Sequence, residues 1–159
     1  MLSRILKPEN VIPELESRDK DSLFAELVEN LVRTTSCLDR GKILSLLYER
    51  EEKMNTCVMK GIAVLHASDS GLECTKVAVG LSAPGIDYEI DGTGSMNYED
   101  GLVHLVFLIL FKPGTAESHL KVLADFARLL QLPDFYSSVL AARSAQEVCG
   151  IISTFESES

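Results

Sequence analysis

The sequence predicts an α/β or α+β sandwich around one sheet, folded as a single domain over residues 1–159. Three observations predict it. Segments with helical periodicity open the chain, apolar segments of strand type fill its middle, and helical periodicity returns in the last third. The strand "VHLVFLILF" (103–111) is apolar on both faces, which suits a central strand covered by helices on both sides.

Each element has its own signal. "DSLFAELVENLV" puts Leu23, Phe24, Leu27, Val28, Leu31 and Val32 on one helical stripe. "DRGKILSLLYEREE" follows as a second helix, with Asp39 as N-cap and a charged end. Ile62–His66 reads as a buried strand, and "TKVAVGLS" (75–82) as a strand with Val77, Val79 and Leu81 on one face. Asp87–Ile90 reads as a short strand, and Asp91–Gly101, rich in Gly, Asp and Asn, as an exposed loop. Residues 115–131 form a helix capped by Thr115 with His119, Leu123, Phe126 and Leu130 on its inner stripe, and Pro133 breaks it. A short helix covers 134–142. "SAQE" (144–147) is a capping box, followed by Val148, Ile151, Ile152 and Phe155 at helical spacing and a fraying "ESES" tail. No internal repeat is present.

The totals exclude several function classes. With 159 residues, the chain can bury roughly two-thirds of its unfolded surface. Its apolar fraction of 46% and charged fraction of 25% are ordinary for a globular domain. A net charge of −9 argues against nucleic acid and anionic membrane surfaces and favours a basic protein partner. The longest apolar run, Leu102–Phe111, is too short to span a bilayer, and the N-terminus lacks a signal-peptide core, so no membrane insertion and a cytoplasmic location are expected. Cys37, Cys57, Cys74 and Cys149 form no CxxC pair and are expected as free thiols packed like small hydrophobes. No HxH, CxxC or HExxH spacing announces a metal site, and neither GxGxxG nor a P-loop is present; no metal and no cofactor are expected. A Cys–His nucleophile has no local signature but needs none, because such pairs can be distant in sequence.

Only three histidines are present, so each can be weighed. His104, inside the central strand, reads as a satisfied core histidine. His66 ends a strand, where α/β sheets collect ligands and chemistry; taken alone it is open to a structural reading as well. His119 falls in the first turn of a helix and faces inward. A helix N-terminus disfavours the imidazolium and attracts anions, so a neutral His119 there could donate one N–H to a phosphate or to a second imidazole; an edge-of-core role is the competing reading.

Four ordered segments resemble the IIA domain of the bacterial sugar phosphotransferase system, in its mannitol, fructose and nitrogen-regulatory branch. "PENV" ahead of the first helix, "LLYEREE" beside that family's "LLEREE", "GIAVLHA" beside its "GIAIPHA", and "VHLVFLILFKPGTAESHLKVLADFARLL" beside its "VHLVFLLLAPEDAAEEHLKLLARLARLL" cover almost the whole chain. The resemblance implies an α/β fold with a mixed central sheet covered by helices on both faces. It implies that His66 carries a phosphoryl group, that His119 is the second active-site histidine, and that Arg50 steadies the phosphoryl. It implies an HPr-like histidine phosphocarrier as donor, and a IIB domain or a regulated transporter or kinase as the next partner. A neutral imidazole near pH 7 is a competent nucleophile, and a phosphoryl carrying close to two negative charges needs a cation and donors around it. The chain departs from the family at Leu65, where proline is usual, and at Cys57 and Met59, where glycines are usual, while Thr56 and Gly61 are kept. Asp91–Gly101 is longer than usual.

Two functions compete. One is a phosphoryl carrier, with a single domain filling the chain and so favouring the stand-alone nitrogen-regulatory type. The other is an interaction module that keeps the fold and has lost transfer through its altered 55–65 loop.

Overall fold

The computed structural model of the chain describes residues 2–53, 57–59, 61–88 and 102–158. Its elements run α1 (Leu2–Ile5), a 3-10 turn (Pro8–Asn10), β1 (Val11–Ile12), α2 (Lys20–Thr34), α3 (Arg40–Lys53), β2 (Cys57–Met59), β3 (Ile62–Ser68), β4 (Lys76–Asp87), β5 (Leu102–Phe111), α4 (Ala116–Leu130), α5 (Phe135–Ala141) and α6 (Ala145–Glu158). Among the described residues the sheet has five strands in the order β1-β4-β5-β3-β2. It is mixed: β1 runs parallel to β4 and β3 parallel to β5, while the β4–β5 and β2–β3 pairs are antiparallel.

Alternation along β5 explains the sandwich. Leu105, Phe107, Ile109 and Phe111 enter one core with Phe126, Leu129 and Leu130 of α4, Phe135 and Val139 of α5, and Val148 and Ile152 of α6. Val106, Leu108 and Leu110 enter the opposite core with Leu23, Phe24, Leu27 and Leu31 of α2 and Ile43 and Leu47 of α3. A strand buried on both faces must be apolar at every position, and residues 105–110 of β5 are 0% exposed.

The predicted helices form, with the expected caps. Asp39 accepts from the Lys42 amide at 3.2 Å, Thr115 from the Ser118 amide at 3.1 Å, and Ser144 from the Glu147 amide at 3.1 Å. The returning half of the last capping box differs: the Glu147 carboxylate accepts from the Arg143 amide, one residue upstream of Ser144. The tail is anchored, not frayed, through Glu158, because Glu156 accepts the backbone amides of Leu2 and Ser3, each at 2.7 Å. The strand expected over 75–82 extends to Asp87, and Tyr88 is buried beyond it; residues 89–101, including the predicted loop, lie outside the described residues. The cysteine expectation fails at two positions, since Cys37 and Cys74 are exposed on connecting turns, while Cys149 is half-buried. No described helix is long and apolar enough to cross a membrane.

Gly61 leads into β3 at φ +76°, and its carbonyl receives the amides of both His104 and Leu105 at 2.8 and 3.1 Å. A Cβ there would stand 2.3 Å from the Tyr136 hydroxyl. Gly61→Ala is therefore expected to lower stability by about 1–3 kcal/mol in urea unfolding, through left-handed strain and displacement of Tyr136. An unchanged midpoint would show that β3 does not need this entry geometry.

Candidate functional site

The strand end asks why an imidazole follows four apolar residues. Ile62, Ala63, Val64 and Leu65 are each at most 5% exposed, and His66 is half-buried where the strand leaves the core. By alternation His66 shares a face with Ile62 and Val64, toward α4, whereas Leu65 joins the α2–α3 core at 1% exposure. The leucine in place of proline thus fills the opposite core and pairs in register with Leu108 instead of crowding the histidine. The side chains of Cys57 and Met59, together with Thr56, lie outside what is described, as does the loop they would form.

The three predicted residues meet here. Arg50, near the end of α3, donates from Nε to Nε2 of His66 at 3.3 Å. An arginine cannot accept a hydrogen bond, so Nε2 carries the lone pair and the ring proton sits on Nδ1. Nδ1 is buried and makes no hydrogen bond of ordinary geometry. Nε2 is therefore the nitrogen available for attack, and it lies against a guanidinium. Burial lowers the His66 pKa below its ordinary 6.5, the Arg50 charge lowers it further, the Val64 backbone pulls weakly the other way, and His119 adds a small lowering. The ring is consequently neutral near pH 7, the form in which an imidazole nitrogen can act as a nucleophile.

His119, in the first turn of α4, is held by its backbone surroundings. Its Nε2 donates to the Lys112 carbonyl at 3.1 Å, and its Nδ1 faces the Ser68 hydroxyl at 3.5 Å. Gly114 lies beside this contact; a Cβ there would crowd Ser118 Oγ at 3.1 Å and only touch His119 Nε2 at 3.5 Å. The α4 N-terminus contributes less as an anion site than its position implied: Thr115 takes up the Ser118 amide, and Glu117 places a carboxylate in the first turn. The local positive charge comes from Arg50.

Sequence reasoning missed Phe111. Its ring stacks on His119 at 4.3 Å and meets His66 edge-on at 6.4 Å, so it is the wall between the two imidazoles. The signal was available in register: β3 and β5 are parallel, His66 pairs with Ile109, and Ser68 pairs with Phe111. Asp69 was missed too. This carboxylate, 3% exposed, pairs with Lys42 at 2.8 Å, and that ammonium holds it below the usual carboxylate range. The pair ties the start of α3 to the strand that carries His66. His104 is the satisfied histidine expected, with Nδ1 donating to the Ser82 carbonyl at 2.8 Å. Among the described residues no group of three or more His, Cys, Asp or Glu could hold a metal ion.

A mixed sheet with helices packed on both faces is an architecture already seen in solved proteins. The nitrogen regulatory protein IIA-Ntr of Neisseria meningitidis superposes with a TM-score of 0.80 at 24% identity, covering 95% of this chain and 98% of that one. The mannitol IIA of Escherichia coli superposes with a TM-score of 0.73 at 19% identity, covering 92% and 98%. These likenesses establish the fold as that of a IIA protein of the mannitol type. The family model described as phosphoenolpyruvate-dependent sugar phosphotransferase system, EIIA 2, matches residues 4–154, and the chain belongs to that family. A nitrogen regulatory protein of Bradyrhizobium diazoefficiens is 31% identical over 152 residues, covering 95% of this chain and 94% of that protein. The fructose-specific EIIABC component of Bacillus subtilis is 28% identical over 152 residues, and the chain spans only 23% of its length.

The lowered His66 pKa has a defined consequence for stability. Above about pH 6.5 the ring is neutral folded and unfolded, and it contributes no pH dependence. Below 6.5 the unfolded chain binds the proton first, so stability falls from there down to the folded pKa and levels off beneath it. Urea unfolding from pH 7.5 to 5, compared with His66→Gln, is expected to show this loss in the parent alone. Parallel slopes would contradict the buried neutral ring.

Proposed function

We propose that this EIIA-family chain is a phosphoryl carrier in which Nε2 of His66 accepts the phosphoryl group from a phosphohistidine on an HPr-like carrier. The observation that carries the reading is the Arg50 Nε contact to Nε2 at 3.3 Å, with Nδ1 buried behind it. The Nε2 lone pair forms the new N–P bond, the carrier's histidine nitrogen leaves with the electrons of the old one, and Nδ1 of His66 keeps its proton. Arg50 offsets the charge on the transferring group, and His119 and Phe111 bound the other side.

Relatives called nitrogen regulatory proteins, the Bradyrhizobium one included, support the regulatory type, whose phosphorylation state sets which proteins it binds. A fructose-specific EIIA component of Haloferax volcanii, 29% identical over 151 residues, supports the sugar-transport type, in which a IIB domain is the next acceptor. One solved neighbour, the Escherichia coli mannitol IIA, is seen in complex with its phosphorylated IIB. A cytoplasmic location and a IIB, transporter or kinase as the acting partner belong to this proposal. The interaction-module alternative loses one of its supports, because Leu65 is in the core opposite His66.

Incubation with phosphoenolpyruvate, enzyme I and an HPr-type carrier is expected to add one acid-labile phosphoryl mass that is absent in His66→Ala. Arg50→Gln should slow transfer by about 10²–10³-fold. The rate should stay flat through pH 6.5 and fall only at lower pH, where the folded His66, its pKa lowered by burial and by Arg50, takes up a proton. Equal labelling of His66→Ala would overturn the site, and no labelling of the parent by a verified phosphocarrier would favour the interaction module.

A further inference from the structure

The opposite end of the sheet holds a second recess. His104 precedes Ile109, the register partner of His66, by five residues, so it lies roughly 16 Å away along the strand. The strands are irregular here. Leu81 pairs with Leu105 and Ile86 with Val103, so Ser82–Gly85 stand opposite His104 alone. His104 and Leu105 also share the Gly61 carbonyl. This double irregularity turns His104 out of the ladder into the wall of a cleft of about 860 Å³.

The lining has two characters. Leu15, Leu81, Pro84 and Leu140 supply apolar surface. Arg18, before α2, and Arg143, between α5 and α6, supply two exposed guanidinium groups, against Glu14 as the one acidic side chain of the lining. Among the described residues neither guanidinium is in an ion pair. In a chain with 24 acidic and 15 basic residues, this is a local reversal of sign. The His104 ring is fixed in orientation by its 2.8 Å bond to the Ser82 carbonyl, so this part of the cleft wall is pre-formed.

We propose that this cleft binds a small organic anion, its carboxylate or phosphate head between Arg18 and Arg143 and its apolar body against Leu81 and Leu140. Guanidinium groups recognise both heads through paired N–H donors, and a concave, mostly apolar recess with a few charged groups is the form such sites take. The inference uses none of the His66 chemistry and stands apart from the phosphoryl-carrier reading.

Phenyl phosphate and phenylacetate, titrated separately into the intact chain, test it by NMR, with benzyl alcohol as the uncharged control. Saturable shifts at the Ser82 amide and the His104 ring are expected with at least one anion and not with benzyl alcohol. Which anion binds identifies the head. Affinity should fall about tenfold or more in Arg18→Gln/Arg143→Gln and stay within about twofold in His66→Gln. Absence of saturable shifts with both anions, equal binding of benzyl alcohol, or undiminished binding in the double variant would each overturn the proposal.

Discussion

The parallel pairing of β3 with β5 is the constraint on which the rest of the molecule depends. β5 is buried on both faces, so its register cannot slip by one residue without moving every side chain to the wrong core. With β5 fixed, β3 is fixed beside it, and His66 must lie across from Ile109 with Phe111 at the strand end. The chain then turns through Lys112–Thr115 into α4, which brings His119 back over the same Phe111 ring. Two histidines distant in sequence thus share one aromatic wall because a hydrophobic strand admits a single register.

Burial and charge act on His66 in the same direction. Desolvation disfavours the imidazolium, and the nearby guanidinium disfavours it again. A cation beside a nucleophile usually costs reactivity by tying up its lone pair. Here it also attracts the anionic group that the nucleophile would receive, and it occupies the side from which that group would come. The two ring nitrogens are made unequal by packing alone: one is enclosed by protein and the other faces Arg50. The ion pair of Asp69 with Lys42 serves the same arrangement at a distance, by holding α3 to the end of β3, while the Glu156 carboxylate on the α1 amides joins the last helix to the first.

Periodicity made the long elements legible. The stripe 119, 123, 126, 130 turns inward as the 3.6-residue repeat requires, and the caps at Asp39, Thr115 and Ser144 fall where short polar side chains can reach free amides. Very short elements were not legible, since α1, β1 and β2 have too few residues for any period to show. The candidate site residues were expected from family resemblance, not from pattern, because a strand-end histidine and a helix-end histidine carry no mutual signal in one sequence. Phe111 escaped notice because an aromatic at the end of an apolar run looks like core. Cys37 and Cys74 were misjudged because composition gives the average burial of a cysteine and says nothing of a turn. The cleft at His104 arises from a mismatch of register between β4 and β5, which depends on pairing that no single segment encodes.

The central claim is that packing leaves Nε2 of His66 as the reacting atom. Long-range ¹H–¹⁵N correlation with ³¹P detection on the phosphorylated chain tests it most directly. The account predicts a single phosphoryl group bonded to Nε2 of His66, with Nδ1 still carrying its proton at neutral pH. A phosphoryl group on Nδ1 of His66, or on His119, would contradict it.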